Sequence, residues 1–381
     1  MHTSISRSFA FAVGFLLLIV LLIATSVPAP AGATGVLGTI IIGTATGNAP
    51  RVYVYNARTG QEIASFFAFD TPATGGVYVA AFDVTEDGID DIIAAPGPGS
   101  GAHVRVFDGV TLDLIASFAP YGDQYNGGIR VVVPPRASRP NTPETPPSAV
   151  LVTLPALAGY PMRAFSPQNW EQIGEIDPFE GQSGMFSGAI LPEAGDSTPP
   201  ATRQQETRIF LPPVIVMPRG NVPVYLCVQI ATRTEWSCSI TLPPIPESWT
   251  PGTVIVAEQE AFYTAAGYLR PSLVAAGPVQ VQMHDPATLA VVRTITAYEE
   301  SQGSGIELGA GDLNGDGVGD VITGPGPNDP PLVKAFDGQS GQQLLSFTAI
   351  DPDYRGGVSV AWSNRNASTS SQVYLPLMRQ P

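Results

Sequence analysis

Charge is scarce in this chain, and so are cysteine, histidine and any helical period. Only 13 % of its 381 residues are charged, and Lys334 is its one lysine. The net charge of −15 removes the basic footprint that phosphate backbones need, so no nucleic-acid partner is expected. The acidic residues are spread out, which reads as a solvated surface. His2, His103 and His284 stand far apart, and no pair has metal-ligand spacing. No Gly-x-Ser-x-Gly elbow occurs. Gly97-Pro98-Gly99-Ser100-Gly101 lacks the lysine and following helix of a phosphate loop. No catalytic constellation is visible. After residue 35 nothing as long as about twelve residues keeps a 3.6-residue period. The 40 glycines and 38 prolines disfavour helices and suit short strands joined by tight turns. The composition points to an all-β fold.

The two cysteines are Cys227 and Cys238. Their midpoint falls at Thr232-Arg233, the expected turn of a hairpin, so they should face each other across it. Export favours oxidation, and cross-strand Cβ atoms are close enough to bridge. A Cys227–Cys238 disulfide is expected; two buried free thiols are the alternative. Export is suggested by residues 1–33. Arg7 precedes an apolar run from Phe9 to Ala24, followed by Ser26-Val27-Pro28-Ala29-Pro30-Ala31-Gly32-Ala33. This is a signal peptide or a retained N-terminal anchor, although the run falls short of the roughly 20 residues a spanning helix needs. Either way the rest is expected to be secreted, extracellular or at the cell surface.

What the chain has in abundance is itself. A unit of about 50–60 residues recurs six times over 36–363. Its clearest copies run Ile92–Val133 and Val321–Val360. Each opens with an apolar run and a Pro/Gly turn, at 96–99 and 324–327. A second strand ends in Phe107-Asp108-Gly109 or Phe336-Asp337-Gly338, and a third in Ser117-Phe118 or Ser346-Phe347. A Gly-Gly pair and a fourth strand close the unit. The second-strand mark falls at Tyr55, Phe107, Phe165, Cys227, His284 and Phe336. The third-strand mark, at Phe66, Phe118, Ile176, Ile240, Ile295 and Phe347, follows 11 residues later in all but the fourth unit. A fixed offset inside a variable period is a hairpin kept while outer loops drift. Four short strands per repeat predict a β-propeller with four antiparallel strands per blade, six blades, or seven if 364–381 and part of 250–268 add strands. Unit one starts one strand late, at Gly38-Thr39-Ile40-Ile41-Ile42. Gly357–Trp362 should supply its missing strand, because an open ring would leave unpaired edges. Pro134–Ser148 and Pro192–Glu206 read as Pro-rich loops, and 364–381 as a C-terminal tail.

One loop carries chemistry. In Asp312-Leu313-Asn314-Gly315-Asp316-Gly317-Val318-Gly319-Asp320, oxygen side chains alternate at 312, 314 and 316. Gly317 permits a sharp turn, Val318 can offer its carbonyl, and Asp320 closes the set. Calcium takes six to eight such oxygens. No helices flank the loop, so it is a strand-to-strand calcium loop and not an EF-hand. A second copy comprises Asp83, Thr85, Asp87, the carbonyl of Ile89 and Asp91, with Thr85 a weaker ligand than Asn314. The other junctions lack the motif.

These loops, the Gly/Pro turns at 96–99 and 324–327, the Val104–Asp108 strand and the Gly-Gly pairs at 75–76, 127–128 and 356–357 resemble the FG-GAP/VCBS repeat family, whose blades form the integrin alpha-subunit head. The resemblance covers units one, two and six well, five fairly, and three and four thinly. It implies a propeller with Ca2+ in its loops and a binding or adhesion role. The expectation is therefore a monomeric, calcium-stabilised, non-enzymatic module at the cell surface. Its partner would be an extracellular protein or glycan, met on the face carrying the turns near 45–50, 96–101, 155–160, 216–221, 276–278 and 324–331. Membrane contact would come only through a retained N-terminal segment. The alternatives are a hydrolase or lyase with its site in the central channel, marked by three or more carboxylates or histidines there, and a structural envelope component.

Overall fold

The computed structural model describes residues 38–70, 72–133, 151–155, 160–176, 186–190, 214–218, 225–229, 236–239, 253–258, 261–266, 278–284, 290–300 and 305–364. The 1–33 segment, both Pro-rich loops and 365–381 lie outside them. Among the described residues no helix is long and apolar enough to cross a membrane.

Every described strand belongs to one of six four-stranded antiparallel sheets, a propeller-like all-β arrangement. Sheet two takes β4 (Val77–Phe82), β5 (Asp91–Pro96), β6 (Val104–Phe107) and β7 (Leu114–Phe118) in order. Sheet three takes β8 (Ile129–Val132), β9 (Leu151–Pro155), β10 (Met162–Phe165) and β11 (Gln172–Ile176). Sheet four takes β12 (Phe186–Ile190), β13 (Val214–Pro218), β14 (Tyr225–Gln229) and β15 (Trp236–Ser239). Sheet five takes β16 (Thr253–Glu258), β17 (Ala261–Ala266), β18 (Val279–His284) and β19 (Val291–Tyr298), so strands within 250–268 belong to an ordinary sheet. Sheet six takes β20 (Ile306–Gly311), β21 (Asp320–Pro325), β22 (Leu332–Phe336) and β23 (Gln343–Thr348).

Sheet one draws on both ends of the chain. It is ordered β24 (Val358–Ser363), β1 (Thr39–Thr44), β2 (Arg51–Asn56), β3 (Glu62–Phe67). Ile40 pairs with Trp362 and Ile42 with Val360. The late start of unit one is thus made good by the far end, as the repeat phase requires. The Trp362 indole fits because its neighbours lack side chains. A Cβ on Gly38 would lie 2.3 Å from Trp362 Nε1, and one on Gly311 2.2 Å from its ring. Beyond Trp362, Ser363 Oγ donates to the Asp90 carbonyl at 3.3 Å and the Asn364 N–H to Asp90 Oδ2 at 2.6 Å.

Burial follows position in the sheet. The strands β1, β5, β9, β21 and β24 are buried along their whole length. The fourth strands β3, β7 and β23 are largely exposed. A strand buried on both faces needs neighbours on both, and alternation supplies them. Ile41 packs with Val77 and Ile92 of sheet two. Ile40 and Ile42 pack with Ile322 and Val333 of sheet six. Similar clusters join sheet two to three and five to six. First strands also neighbour one another: β24 beside β4 and β20, β8 beside β4 and β12, β16 beside β12 and β20.

Candidate functional site

The two Asp-rich loops occupy the same place, between the first and second strands of sheets two and six. The 134–150 and 191–213 segments fall at the equivalent junctions of sheets three and four. In sheet five only two residues separate the paired Glu258 and Ala261.

Both loops are tied by their last carboxylate. Asp320 is fully buried. Its Oδ2 accepts the Leu313 and Asn314 N–H groups at 2.8 and 3.3 Å, and its Oδ1 accepts the Gly338 N–H at 2.9 Å. Asp91 repeats this: Oδ2 accepts from Val84 and Thr85 at 2.9 and 3.0 Å, and Oδ1 from Gly109 at 2.9 Å. The closing Asp therefore fastens its loop to the Phe-Asp-Gly turn of the same sheet. Glycine there is a matter of room. A Cβ on Gly109 would lie 2.2 Å from the Asp90 carbonyl oxygen.

The earlier loop oxygens also face backbone donors. Asp312 Oδ1 accepts from Gly315 and Asp316 at 2.7 and 3.1 Å, and Oδ2 from Gly317 at 3.0 Å. Asn314 Oδ1 accepts the Asp316 N–H at 2.9 Å, and Asp316 Oδ1 the Val318 N–H at 2.8 Å. In sheet two Asp83 accepts from Asp87 and Gly88 at 3.2 and 2.8 Å, and Asp87 from Ile89 at 2.8 Å. Among the described residues no three acidic, His or Cys side chains converge as a metal cluster. The donor set still suits a hard cation, being all oxygen and unopposed by any basic residue within 312–320. Crowding shows in Asp320. Burial first, then Asp337 and Asp316, outweigh its N–H bonds and push its pKa up to about 7. Asp91 is also raised, by burial, with no acidic neighbour contributing.

The other expected site residues are Cys227 and Cys238. They are direct partners on β14 and β15, as the midpoint argument required.

Several contacts were not read from the sequence. Arg105, Arg163 and Lys334 each stand two residues before a second-strand mark. Arg105 Nη1 donates to the Ala68 carbonyl at 2.8 Å, Arg163 Nη1 to Pro120 at 2.7 Å, and Lys334 Nζ to Ala297 at 2.8 Å. Each cation lies over an aromatic ring at or just past the end of the preceding sheet's last strand: Phe69, Tyr121 and Tyr298 respectively. The lone lysine is thus a sheet-to-sheet latch. The constant offset from the mark was the signal available.

His103 raises a sharper question. Its Nδ1 lies 3.1 Å from Ser117 Oγ and its Nε2 3.0 Å from Asp123 Oδ1. That is the order of a nucleophile, base and acid. The repeat supplies the plainer reading: Arg51, at the same offset in unit one, donates to Ser65 Oγ at 2.8 Å. The serine position takes whatever donor stands opposite. The Asp123 side chain is 78 % exposed, so water screens its pull on the imidazole.

A partly buried pair joins two sheets that are not neighbours. Arg130 Nη1, on β8, donates to Glu307 Oε2, on β20, at 2.8 Å, and Nη2 donates to Oε1. The guanidinium lies 4.1 Å from the Tyr78 ring centroid.

No protein-family model and no curated protein matches the chain. Solved structures similar to it include a protein of unknown function from Bacteroides caccae, with TM-score 0.49 and 9 % identity over 86 % of this chain and 98 % of that one. Another is dihydro-heme d1 dehydrogenase NirN in complex with DHE, with TM-score 0.39 and 11 % identity over 87 % of this chain and 57 % of that one. Neither bears on what this chain does.

Proposed function

We propose that the chain is an exported β-propeller of the FG-GAP/VCBS type, with six blades closed by the β24–β1 clasp, acting as a non-enzymatic binding module at the cell surface. The observation that carries the binding reading is a belt of backbone hydrogen bonds along one rim. Asn328 donates to Arg355 O at 2.8 Å, Ala45 to Gly357 O at 3.1 Å, and Gly47 to Thr74 O at 2.7 Å. Gly76 donates to Asn48 O at 3.1 Å, Gly97 to Gly76 O at 3.1 Å, and Gly99 to Asn126 O at 3.2 Å. These Pro/Gly turns belong to sheets six, one, two and three in succession. A rim already ordered loses little entropy when a partner, protein or glycan, settles on it.

Closure is supported by the neighbouring first strands and by the Arg130–Glu307 contact. A direct bond between sheets three and six fits sheets curved about a common axis. Calcium belongs to the same reading. Asp312, Asn314, Asp316, Asp320 and the Val318 carbonyl would hold the stronger ion; Asp83, Thr85, Asp87, Asp91 and the Ile89 carbonyl would hold the weaker. Its role is structural: it would neutralise carboxylates that now repel.

The non-enzymatic part draws on the axis: among the described residues the Arg130 guanidinium holds the Glu307 carboxylate at two points, which occupies it as an ion-pair acceptor instead of leaving it to act as an acid or base. The test is a screen of the purified protein against glycan arrays, cell-wall fractions and hydrolase substrates. Capture without turnover is expected. Turnover abolished by Glu307→Gln would replace this reading with an enzyme.

A further inference from the structure

Four first strands place different side chains at one level. Val77, Ile129, Ile306 and Val358 pair with Pro96, Pro155, Pro325 and Thr44, the ends of the adjoining second strands. The next residue in each is Tyr78, Arg130, Glu307 or Ser359. At some equivalent positions the repeat keeps one residue type, as with Asp91 and Asp320 or Gly109 and Gly338. Here it keeps none, yet the four come together. The guanidinium of Arg130 spans from the Tyr78 ring to the Glu307 carboxylate, and Ser359 Oγ accepts the N–H of Val79, next to Tyr78, at 3.1 Å.

Stability does not account for this layer. The Glu307 side chain is 6 % exposed and that of Arg130 19 %. A buried ion pair seldom outperforms apolar side chains of the same volume. The Tyr78 hydroxyl gives a second reason. Four tyrosines among the described residues are buried: Tyr55, Tyr78, Tyr125 and Tyr298. Tyr55 accepts from Ile350 N–H, Tyr125 donates to Gly128 O, and Tyr298 donates to Leu332 O. Buried phenols find such partners. Tyr78 is only 7 % exposed, yet its ring meets Arg130 while its hydroxyl bonds no protein group among the described residues and opens to solvent, where a ligand could meet it.

Charge balance limits what the layer can take. An anion would have to draw Arg130 off Glu307, leaving a buried carboxylate alone. A cation would have to compete with Arg130 for Glu307 and meet the guanidinium's own positive charge. Either would carry the cost of a broken, largely buried ion pair. A neutral ligand rich in hydroxyls leaves the pair intact. It can donate to the carboxylate's remaining lone pairs and accept from the Tyr78 hydroxyl. The layer lies at the strand ends next to the Pro/Gly rim, where a partner would arrive.

We infer that Tyr78, Arg130, Glu307 and Ser359 form an axial site for the end of a neutral polyhydroxylated ligand, a saccharide. The inference rests on the binding-module reading and adds a ligand class to it. The experiment is calorimetry of the purified chain with methyl glycosides of neutral hexoses and deoxyhexoses. Sodium acetate and tetramethylammonium chloride serve as charged probes. At least one glycoside should bind, and neither charged probe should. Tyr78→Phe removes a hydroxyl that bonds nothing in the protein, so the melting temperature should hold while affinity falls about tenfold. Glu307→Gln should weaken binding further; should that variant not fold, Tyr78→Phe decides alone. Failure of every glycoside to bind, unchanged affinity in Tyr78→Phe, or preference for acetate would overturn the axial saccharide site. Capture of a protein or cell-wall fraction by the rim under those same conditions would leave the broader binding reading standing.

Discussion

The loops of sheets two and six share a frame and differ in one cross-link. In both, a buried Asp takes three N–H groups, two from its own loop and one from the neighbouring turn. In sheet six Asn314 Nδ2 also donates to Asp337 Oδ2 at 2.9 Å and to Asp316 Oδ2 at 3.3 Å. In sheet two Thr85 stands in that place, and its hydroxyl turns back to Asp91. One amide therefore ties two carboxylates, Asp316 and Asp337, at loop six, and among the described residues no side chain does so at loop two. The frame and the cation chemistry are separable: closing Asp and turn Gly make the frame, and the third loop position sets how strongly the acids crowd.

The largest effect should come from breaking the frame, and it should be equal in the two loops. Asp320→Ala strands the N–H groups of Leu313, Asn314 and Gly338; Asp91→Ala strands those of Val84, Thr85 and Gly109. Each buried donor left unpaired costs about 1–3 kcal/mol, so each variant should lose at least about 3 kcal/mol in urea denaturation. A variant with the wild-type midpoint would show that its carboxylate is no tie. The sequence at the equivalent junction of sheet four, 191–213, carries no such motif, and a Cys227–Cys238 disulfide is expected to hold that sheet instead. Its closed loop is short, worth about 2–3 kcal/mol. Reductant should lower the melting temperature accordingly; an unchanged melt with two titratable thiols would remove the bridge.

Calcium should separate the loops that the frame makes alike. With a dissociation constant of about 10⁻⁴–10⁻³ M, 10 mM calcium, on the order of ten to a hundred times that value, adds about 1.4–2.7 kcal/mol. Loop six should supply most of it. The shift in melting temperature between calcium and chelator should shrink more in Asp316→Ala than in Asp87→Ala. Equal shrinkage would mean that crowding does not govern the response, and no shift in the wild type would remove calcium from both loops.

Much of this frame was legible in the sequence, because it repeats. The second-strand marks at Tyr55, Phe107, Phe165, His284 and Phe336 sit where the strand pairings shift register. A bulge fixed in each hairpin is what a constant 11-residue offset records. The clasp was legible because unit one began a strand late. The pairing of Cys227 with Cys238 followed from symmetry about one turn. Contacts made once were not legible. Arg130 and Glu307 lie 177 residues apart, and no local pattern marks either. The latch residues changed identity from Arg to Lys, which hid a constant position behind a varying letter. The closing Asp was read from its spacing as a cation ligand. Spacing carries no sign of the Gly338 and Gly109 N–H groups that reach it from 18 residues further along.

The smallest and sharpest test exchanges the residue by which the loops differ. Asn314→Thr removes the bond to Asp337 and the acceptor for the Asp316 N–H. Both bonds lie near solvent, so about 1 kcal/mol should be lost. The frame should survive, because Asp320 keeps its three donors. Without the cross-link Asp337 is free to turn to water, and the calcium response should fall toward that of loop two. Thr85→Asn should act in the opposite sense. Asp108 occupies the place of Asp337, already accepting the Val110 and Thr111 N–H groups through Oδ1 at 2.9 and 2.7 Å. An Asn amide could reach its other oxygen, add a ligand oxygen to the loop, and raise the calcium response. The variant carrying both substitutions should invert the wild-type order of the two loops, read as the calcium-minus-chelator shift with Asp87→Ala or Asp316→Ala added in turn. If the order persists, position three is not what distinguishes them, and the difference must lie in the burial of Asp320 itself.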